Sequence, residues 1–309
     1  SDAILIARAE FDVSGPVTVF ATAGIRESDY RFVSTHWTLN TAAGDLSSPR
    51  WRYSPQENKA KAVDAGVRTR FRTGPVDHQL TINANYFEQT YLYSASGHSI
   101  WAPLLIESNL YDPVFVTSPG TPSIPALHRT LENRYQGFGI ANTFGLLDDR
   151  LQLTLGLRRQ SVNQYAYNIE TGAERQTYGA WATSPAVALL YRANDRVSVY
   201  GNYIQGLSAG STAPDLAANA GEVFAPYETK QVEAGIKIDW GRLAATFGLF
   251  DIRKPNAYTD PVTRIYSVAG EQRNRGIELS TFGELSRGLR LVGGVSWIDA
   301  EMKIGRAHV

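Results

Sequence analysis

Cysteine is absent from the 309 residues, and methionine occurs once. Without thiols there can be no disulfide, no Cys-bound zinc, no iron–sulfur cluster and no thiol nucleophile. An excess of one charge is absent too, since 30 Lys and Arg face 30 Asp and Glu. A general nucleic-acid binder would carry a basic surplus, so nucleic acid is not an expected partner. Long apolar runs are lacking: stretches such as AVALLY at Ala186–Tyr191 fall well short of the roughly 18 residues a membrane helix needs. The opening SDAILIARAEFDV has no basic start and no cleavage site, so no signal peptide is expected in it. What the chain does have is 16 Tyr and 27 Gly, a composition that leans to an all-β protein.

Alternation is the strongest pattern. In Leu151–Gln160, Leu151, Leu153, Leu155 and Leu157 alternate with Gln152, Thr154, Gly156 and Arg158. Gln231–Trp240 opposes Val232, Ala234, Ile236 and Ile238 to Gln231, Glu233, Lys237 and Asp239. Asp64–Arg72 and Gln79–Tyr86 behave alike. A period of two over such lengths means strands with one apolar and one polar face. About twelve strands are expected, near 3–12, 17–29, 60–73, 78–93, 133–145, 151–168, 180–191, 196–208, 229–240, 243–257, 271–285 and 289–302.

Their connections alternate in length. Ser14–Pro16, Thr73–Asp77, Leu146–Arg150, Arg192–Asp195, Trp240–Arg242 and Ser286–Gly288 carry turn residues. Between these pairs lie long segments, 30–59, 94–132, 169–179, 209–228 and 258–270. Short turns at one end and long loops at the other are the layout of an antiparallel transmembrane β-barrel. In a soluble sandwich the polar face would meet water; in a barrel it lines the lumen while the apolar face meets lipid. Consecutive charges on the polar face at Arg68, Arg70 and Arg72, and the strand lengths, favour the lumen. Trp240, Trp297 and Tyr86 suit interfacial girdles.

Several stretches, taken in order, carry a resemblance. NLYDPVF at Asn109–Phe115 is similar to an LYxPV element, and GLLDDRLQLTLGLR at Gly145–Arg158 to a turn-plus-strand element. VSVYGNYIQGLSAG at Val197–Gly210 resembles a vYxnYsxgf strand. VFAPYETKQVEAGIK at Val223–Lys237 keeps Pro226, Gln231, Glu233, Gly235 and Lys237 of a PexsxqxExGxK pattern. VAGEQRNRGIELS at Val268–Ser280 keeps Gly270, Arg273, Arg275, Gly276 and Glu278 of GxxrsrGxExe. Together they resemble the barrel of TonB-dependent ferric-siderophore receptors of the ferrichrome type, in Gram-negative outer membranes.

The resemblance implies a barrel of about 22 strands around a plug, with this chain supplying about strands five to sixteen. The expected fold is thus an open, truncated part of that barrel over residues 1–302, with its plug, its TonB box and a terminal aromatic strand outside the chain. KIGRAHV, Lys303–Val309, departs from the pattern and is expected to be a non-native tail. The implied cargo is a ferric siderophore, whose iron is held by the siderophore itself, so no cofactor and no protein metal ligands are expected. Implied partners are outer-membrane lipid, the plug domain and the TonB complex. A TonB-dependent receptor for cobalamin or a glycan, and a structural or autotransporter-type barrel of about 12 strands, are the alternatives.

Aromatics bind such a cargo by burying area and by hydroxyl hydrogen bonds. Candidates are Trp51 and Tyr53 in the first long loop, Tyr91, Tyr93, Trp101, Tyr111 and Phe115 around the second, and Tyr227 in the 209–228 loop. Asp64, Arg68, Arg70, Arg72, Arg158, Glu233, Lys237 and Glu278 line the polar face, opposite a plug or in cross-strand ion pairs. No enzyme is expected. GLSAG at Gly206–Gly210 matches a serine-hydrolase elbow, but the one downstream histidine is His308. GFGIAN at Gly137–Asn142 lacks the third glycine of a dinucleotide loop. Asp148 and Asp149 fit a tight turn, and His36, His78, His98 and His128 are scattered.

Overall fold

A strand apolar on one side and polar on the other is stable only when its two faces meet different surroundings. The chain solves this with one antiparallel sheet. The structure, a computed structural model, describes residues 1–35, 37–94, 100–114, 126–214 and 216–304; the side chains of 34–35, 48–52 and 100–106 also fall outside that set. Among the described residues the strands are β1 (Asp2–Ser14), β2 (Val17–Thr35), β3 (Thr38–Leu39), β4 (Asp45–Thr73), β5 (Val76–Ser94), β6 (Ile100–Asn109), β7 (Leu127–Leu146), β8 (Leu151–Tyr167), β9 (Glu174–Arg192), β10 (Val197–Ser208), β11 (Tyr227–Asp239), β12 (Leu243–Thr259), β13 (Tyr266–Ser286) and β14 (Leu289–Lys303). Hydrogen bonding follows chain order from β1 to β14, with β3 and β6 set aside as partners of β4. Every pairing is antiparallel.

The turns fall where the turn residues lie. Gly74, Gly241 and Gly288 take φ of 57°, 85° and 82°, the left-handed region that a tight hairpin needs. In the Leu146–Arg150 connection Leu147, Asp148 and Asp149 all take positive φ, 54°, 53° and 62°. Both aspartates therefore serve the turn, as their spacing suggests.

The outer connections differ from expectation. Most of 45–59 and part of 94–132 form strand rather than loop, because β4 runs for 29 residues and pairs with β2 on one side and β6 on the other. The β4–β6 register shifts between Ser48 and Arg50, around Pro49, which has no N–H to give. SSPRWRYSPQENK (47–59) shows no apolar–polar alternation, so its strand character leaves no periodic mark.

The sheet ends in free edges: among the described residues β1 pairs with β2 alone and β14 with β13 alone. All of β1 is exposed. Of the expected tail, Lys303 closes β14 opposite Glu271, and 305–309 lie outside the described residues.

Candidate functional site

Cross-strand register carries the apolar positions across the sheet as one band. Val67 faces Ile82, Ile82 faces Ile140, and Ile140 faces Leu157. Further along, Leu155 faces Val187, Val199 faces Ile236, Ile236 faces Phe247, Phe247 faces Leu279, and Ile277 faces Trp297. These side chains are exposed, Ile82 at 49%, Leu157 at 51% and Trp297 at 61%. A continuous exposed apolar belt is the wall of a membrane barrel.

On the same face, towards the long connections, the belt gives way to charge. Glu132, 2% exposed, lies 3.4 Å from Arg129 and is ion-paired with Arg134, whose guanidinium covers the Tyr165 ring at 4.4 Å. Lys61 reaches Glu88 at 2.8 Å, and the Tyr86 hydroxyl donates to Glu88 at 2.5 Å. Arg275 meets Asp299 at 2.7 Å, and Arg273 is ion-paired with Asp251. Tyr86 thus stands at the border between the apolar belt and the charged rim.

The opposite face is polar and carries the predicted lumen residues. Asp64 accepts from Asn83 at 2.9 Å, and Arg158 donates to Asn85 at 2.7 Å. Arg68 meets Glu10 at 2.6 Å and covers the Phe20 ring at 4.8 Å. Glu233 accepts from the Tyr200 hydroxyl at 2.6 Å, and Lys237 stands over that ring at 4.9 Å. Arg72 pairs with Asp77 at 2.5 Å beside the turn. Arg70 and Glu278 make no ion pair among the described residues. Cross-strand bonding therefore accounts for much of this charge.

The aromatic candidates do not gather at one point. Tyr91 and Tyr93 follow Asn83, Asn85, Phe87 and Gln89 along the polar face of β5. Tyr53 is buried at 1% exposure in β4, not displayed on a loop. Tyr111 is 76% exposed in the bend after β6, its backbone N–H held by Asn109 at 2.9 Å. Tyr227 opens β11, its hydroxyl paired with Ser211. Trp51 lies opposite Thr35 and Ala102, and Trp101 opposite Arg52, but their side chains are outside the described residues, as is Phe115 altogether.

Sequence reading passed over Phe87 and Tyr135, whose rings stack at 5.8 Å beneath Tyr91 on the same face. The alternation that marks β5 contains this signal, since Phe87 shares parity with Tyr91. Ser208 ends β10 without an identified partner for its hydroxyl. Among the described residues no group of three or more His, Asp or Glu gathers to hold a metal.

Comparison with known proteins puts this architecture in context. The family model described as TonB dependent receptor-like, beta-barrel, matches residues 5–307. The ferrichrome receptor FcuA of Yersinia enterocolitica is 31% identical over 307 residues, covering 96% of this chain and 39% of that protein. The metal-pseudopaline receptor CntO of Pseudomonas aeruginosa is 35% identical over 159 residues, 48% of this chain and 22% of its own length. The crystal structure of BauA, the ferric preacinetobactin receptor from Acinetobacter baumannii, superposes with a TM-score of 0.81 at 35% identity, over 99% of this chain and 46% of that one. The chain thus spans less than half the length of these relatives.

Proposed function

Because the chain belongs to the TonB-dependent receptor β-barrel family of Gram-negative outer membranes, we propose that it forms part of the wall of a receptor that takes up a ferric siderophore. The observation that carries this reading is the two-sided sheet: an exposed apolar belt on one face, and on the other a polar lining that rises to Phe87, Tyr91, Tyr93 and Tyr135. A ferric chelate is polar around its iron and bulky at its periphery. Aromatic faces bury the periphery and hydroxyls bond its carbonyls. The chelator keeps the iron, so the wall needs no metal ligand of its own.

In this reading the work is binding and gating, with no bond made. The inner-face charges, Arg70 and Glu278 among them, face a plug that the TonB complex moves. The edges at β1 and β14 are closed by further strands, since each unpaired backbone group in lipid costs several kcal/mol. Relatives named for ferrichrome, ferrioxamine B and preacinetobactin support a ferric chelate over other cargo.

The test is growth under iron limitation of an Escherichia coli strain without siderophore receptors, supplied with the whole reading frame that encodes these residues. Ferrichrome or ferrioxamine B is expected to restore growth, and Tyr91→Ala or Tyr93→Ala each to weaken ligand binding by up to about tenfold, the scale of one lost aromatic contact. Binding of cobalamin or a glycan, with no ferric chelate bound, would replace the cargo and keep the family.

A further inference from the structure

The outer connection 209–226 is fastened both to the connection 260–265 and to Tyr266, the first residue of β13, by an unusual set of bonds. The Asn219 side chain pairs with the backbone of Tyr266 in both directions: its Nδ2 donates to the Tyr266 carbonyl at 2.8 Å, and its Oδ1 accepts from the Tyr266 N–H at 2.8 Å. An amide side chain thereby imitates one step of a β-ladder between segments that are not strand neighbours. The Ala218 N–H donates to the Arg264 carbonyl at 2.7 Å, and the Arg264 guanidinium donates to the Leu216 carbonyl at 3.0 Å. Phe224 meets the Tyr266 ring edge-on at 5.6 Å.

Arg264 is held in a costly conformation to do this. Its φ is 60°, rare for a residue with a side chain. The turn enforces it: the Arg264 N–H donates to the Asp260 carbonyl at 2.9 Å, and the Asp260 carboxylate accepts from the N–H groups of Val262 and Thr263 at 2.9 and 2.7 Å. Segment 209–226 is likewise closed on itself. Thr212 bridges Val223, Ala213 donates to Glu222 at 2.8 Å, and Ala213 and Ala217 are 3% and 8% exposed.

We propose that these two connections form one latch over the outer mouth, with Asn219 and Arg264 as its positioning residues. The latch makes 209–226 and 260–265 move as a single body across β11 and β12, so that a ligand touching either one orders or displaces both. The proposal rests on the reading of this rim as the ligand-receiving end, but its mechanical content does not depend on the cargo.

Amide hydrogen exchange on the whole receptor that contains these residues, in detergent micelles, tests it without any ligand. Asn219→Ala removes the bond to Tyr266, and Arg264→Ala removes the bond to Leu216. If the latch is one unit, each single variant speeds exchange at least tenfold at both Ala218 and Tyr266, and the double variant adds little to either single. The ladder amides of β10 and β11 stay protected throughout. Independent loops would give a different pattern: Asn219→Ala would loosen Tyr266, whose N–H it leaves without an acceptor, but not Ala218, and Arg264→Ala would leave Tyr266 protected, which overturns the proposal. Unchanged exchange at both amides overturns it as well. Failure of siderophore binding, with the reciprocal exchange pattern intact, would count against the cargo and leave the latch standing.

Discussion

Tyr200 and Gly235 stand directly opposite each other across β10 and β11, and the Tyr200 ring occupies the place where a side chain on Gly235 would lie. A Cβ there would come within 2.7 Å of the ring and closer still to the Phe247 carbonyl oxygen. The arrangement recurs on the same face. Phe20 covers its partner Gly66, and Phe250 covers its partner Gly276, each ring 2.8 Å from where a Cβ would be. In two of the three cases a cation from the glycine's own strand, Arg68 or Lys237, lies over the ring. Each unit is an aromatic laid on bare backbone, capped by charge in two of the three, which stiffens the polar face of the sheet.

Gly235→Ala is therefore expected to destabilise the sheet by about 1–3 kcal/mol, the range for overpacking a filled site. Gly201→Ala is the control, since the nearest atom to its Cβ would be 3.6 Å away. Urea unfolding in detergent, followed by tryptophan fluorescence, measures both. Equal midpoints for the two variants would mean that the Tyr200 ring and the Phe247 carbonyl do not fill the glycine's space.

Glu132 is almost fully buried between Arg129 and Arg134, on the outer face just beyond the apolar belt. Glu132→Gln removes the buried carboxylate from Arg129 and Arg134, leaving Arg134 only the longer contacts to Glu174 at 3.5 Å and Glu88 at 3.8 Å, and should cost about 1–3 kcal/mol. The exposed Arg8–Glu10 pair is predicted to contribute much less, because solvent screens it. The same unfolding measurement compares them, and equal effects would contradict the burial argument.

The latch turn carries a pH prediction. The N–H groups of Thr263 and Val262 hold the Asp260 carboxylate below its ordinary value of 3.8. A lowered value in the folded state means that the stabilisation is present above the unfolded value and is lost as pH falls through the folded one. Pepsin cleavage within 260–265 should thus stay slow at pH values near 3.8 and accelerate only below it. Asp260→Ala should be cleaved at the accelerated rate throughout. Acceleration in the wild type already well above that value would sink the idea.

The hairpins of the spanning region were legible because lipid writes itself into sequence: Leu151 to Leu157 alternate with polar residues since one face must be apolar. Beyond the belt that pressure vanishes, and the outer half of β4 and all of β6 carried no such mark. The charges of the polar face were readable by parity from the apolar residues. Their partners were not, because register sets which residue meets which, and Tyr200 is 35 positions from Gly235 in a chain read one residue at a time. Gly235 and Gly276 stood out only within stretches of family resemblance; the rings above them supply the physical reason. Asn219 left no signal at all, since an asparagine in a loop reads as turn chemistry.

The absence of cysteine from these 309 residues, with any cysteine elsewhere in the receptor replaced by serine, makes the central claim directly measurable. Single cysteines placed at Gln152, Leu153, Thr154, Leu155, Gly156 and Leu157 of β8 can carry an environment-sensitive fluorophore, in the receptor reconstituted into vesicles containing brominated lipid. The account predicts strict alternation: labels at 153, 155 and 157 quenched by the lipid, and labels at 152, 154 and 156 quenched by an aqueous quencher instead. Aqueous quenching at all six positions would contradict it, because the apolar face would then meet water and the chain would not be a wall of a membrane barrel.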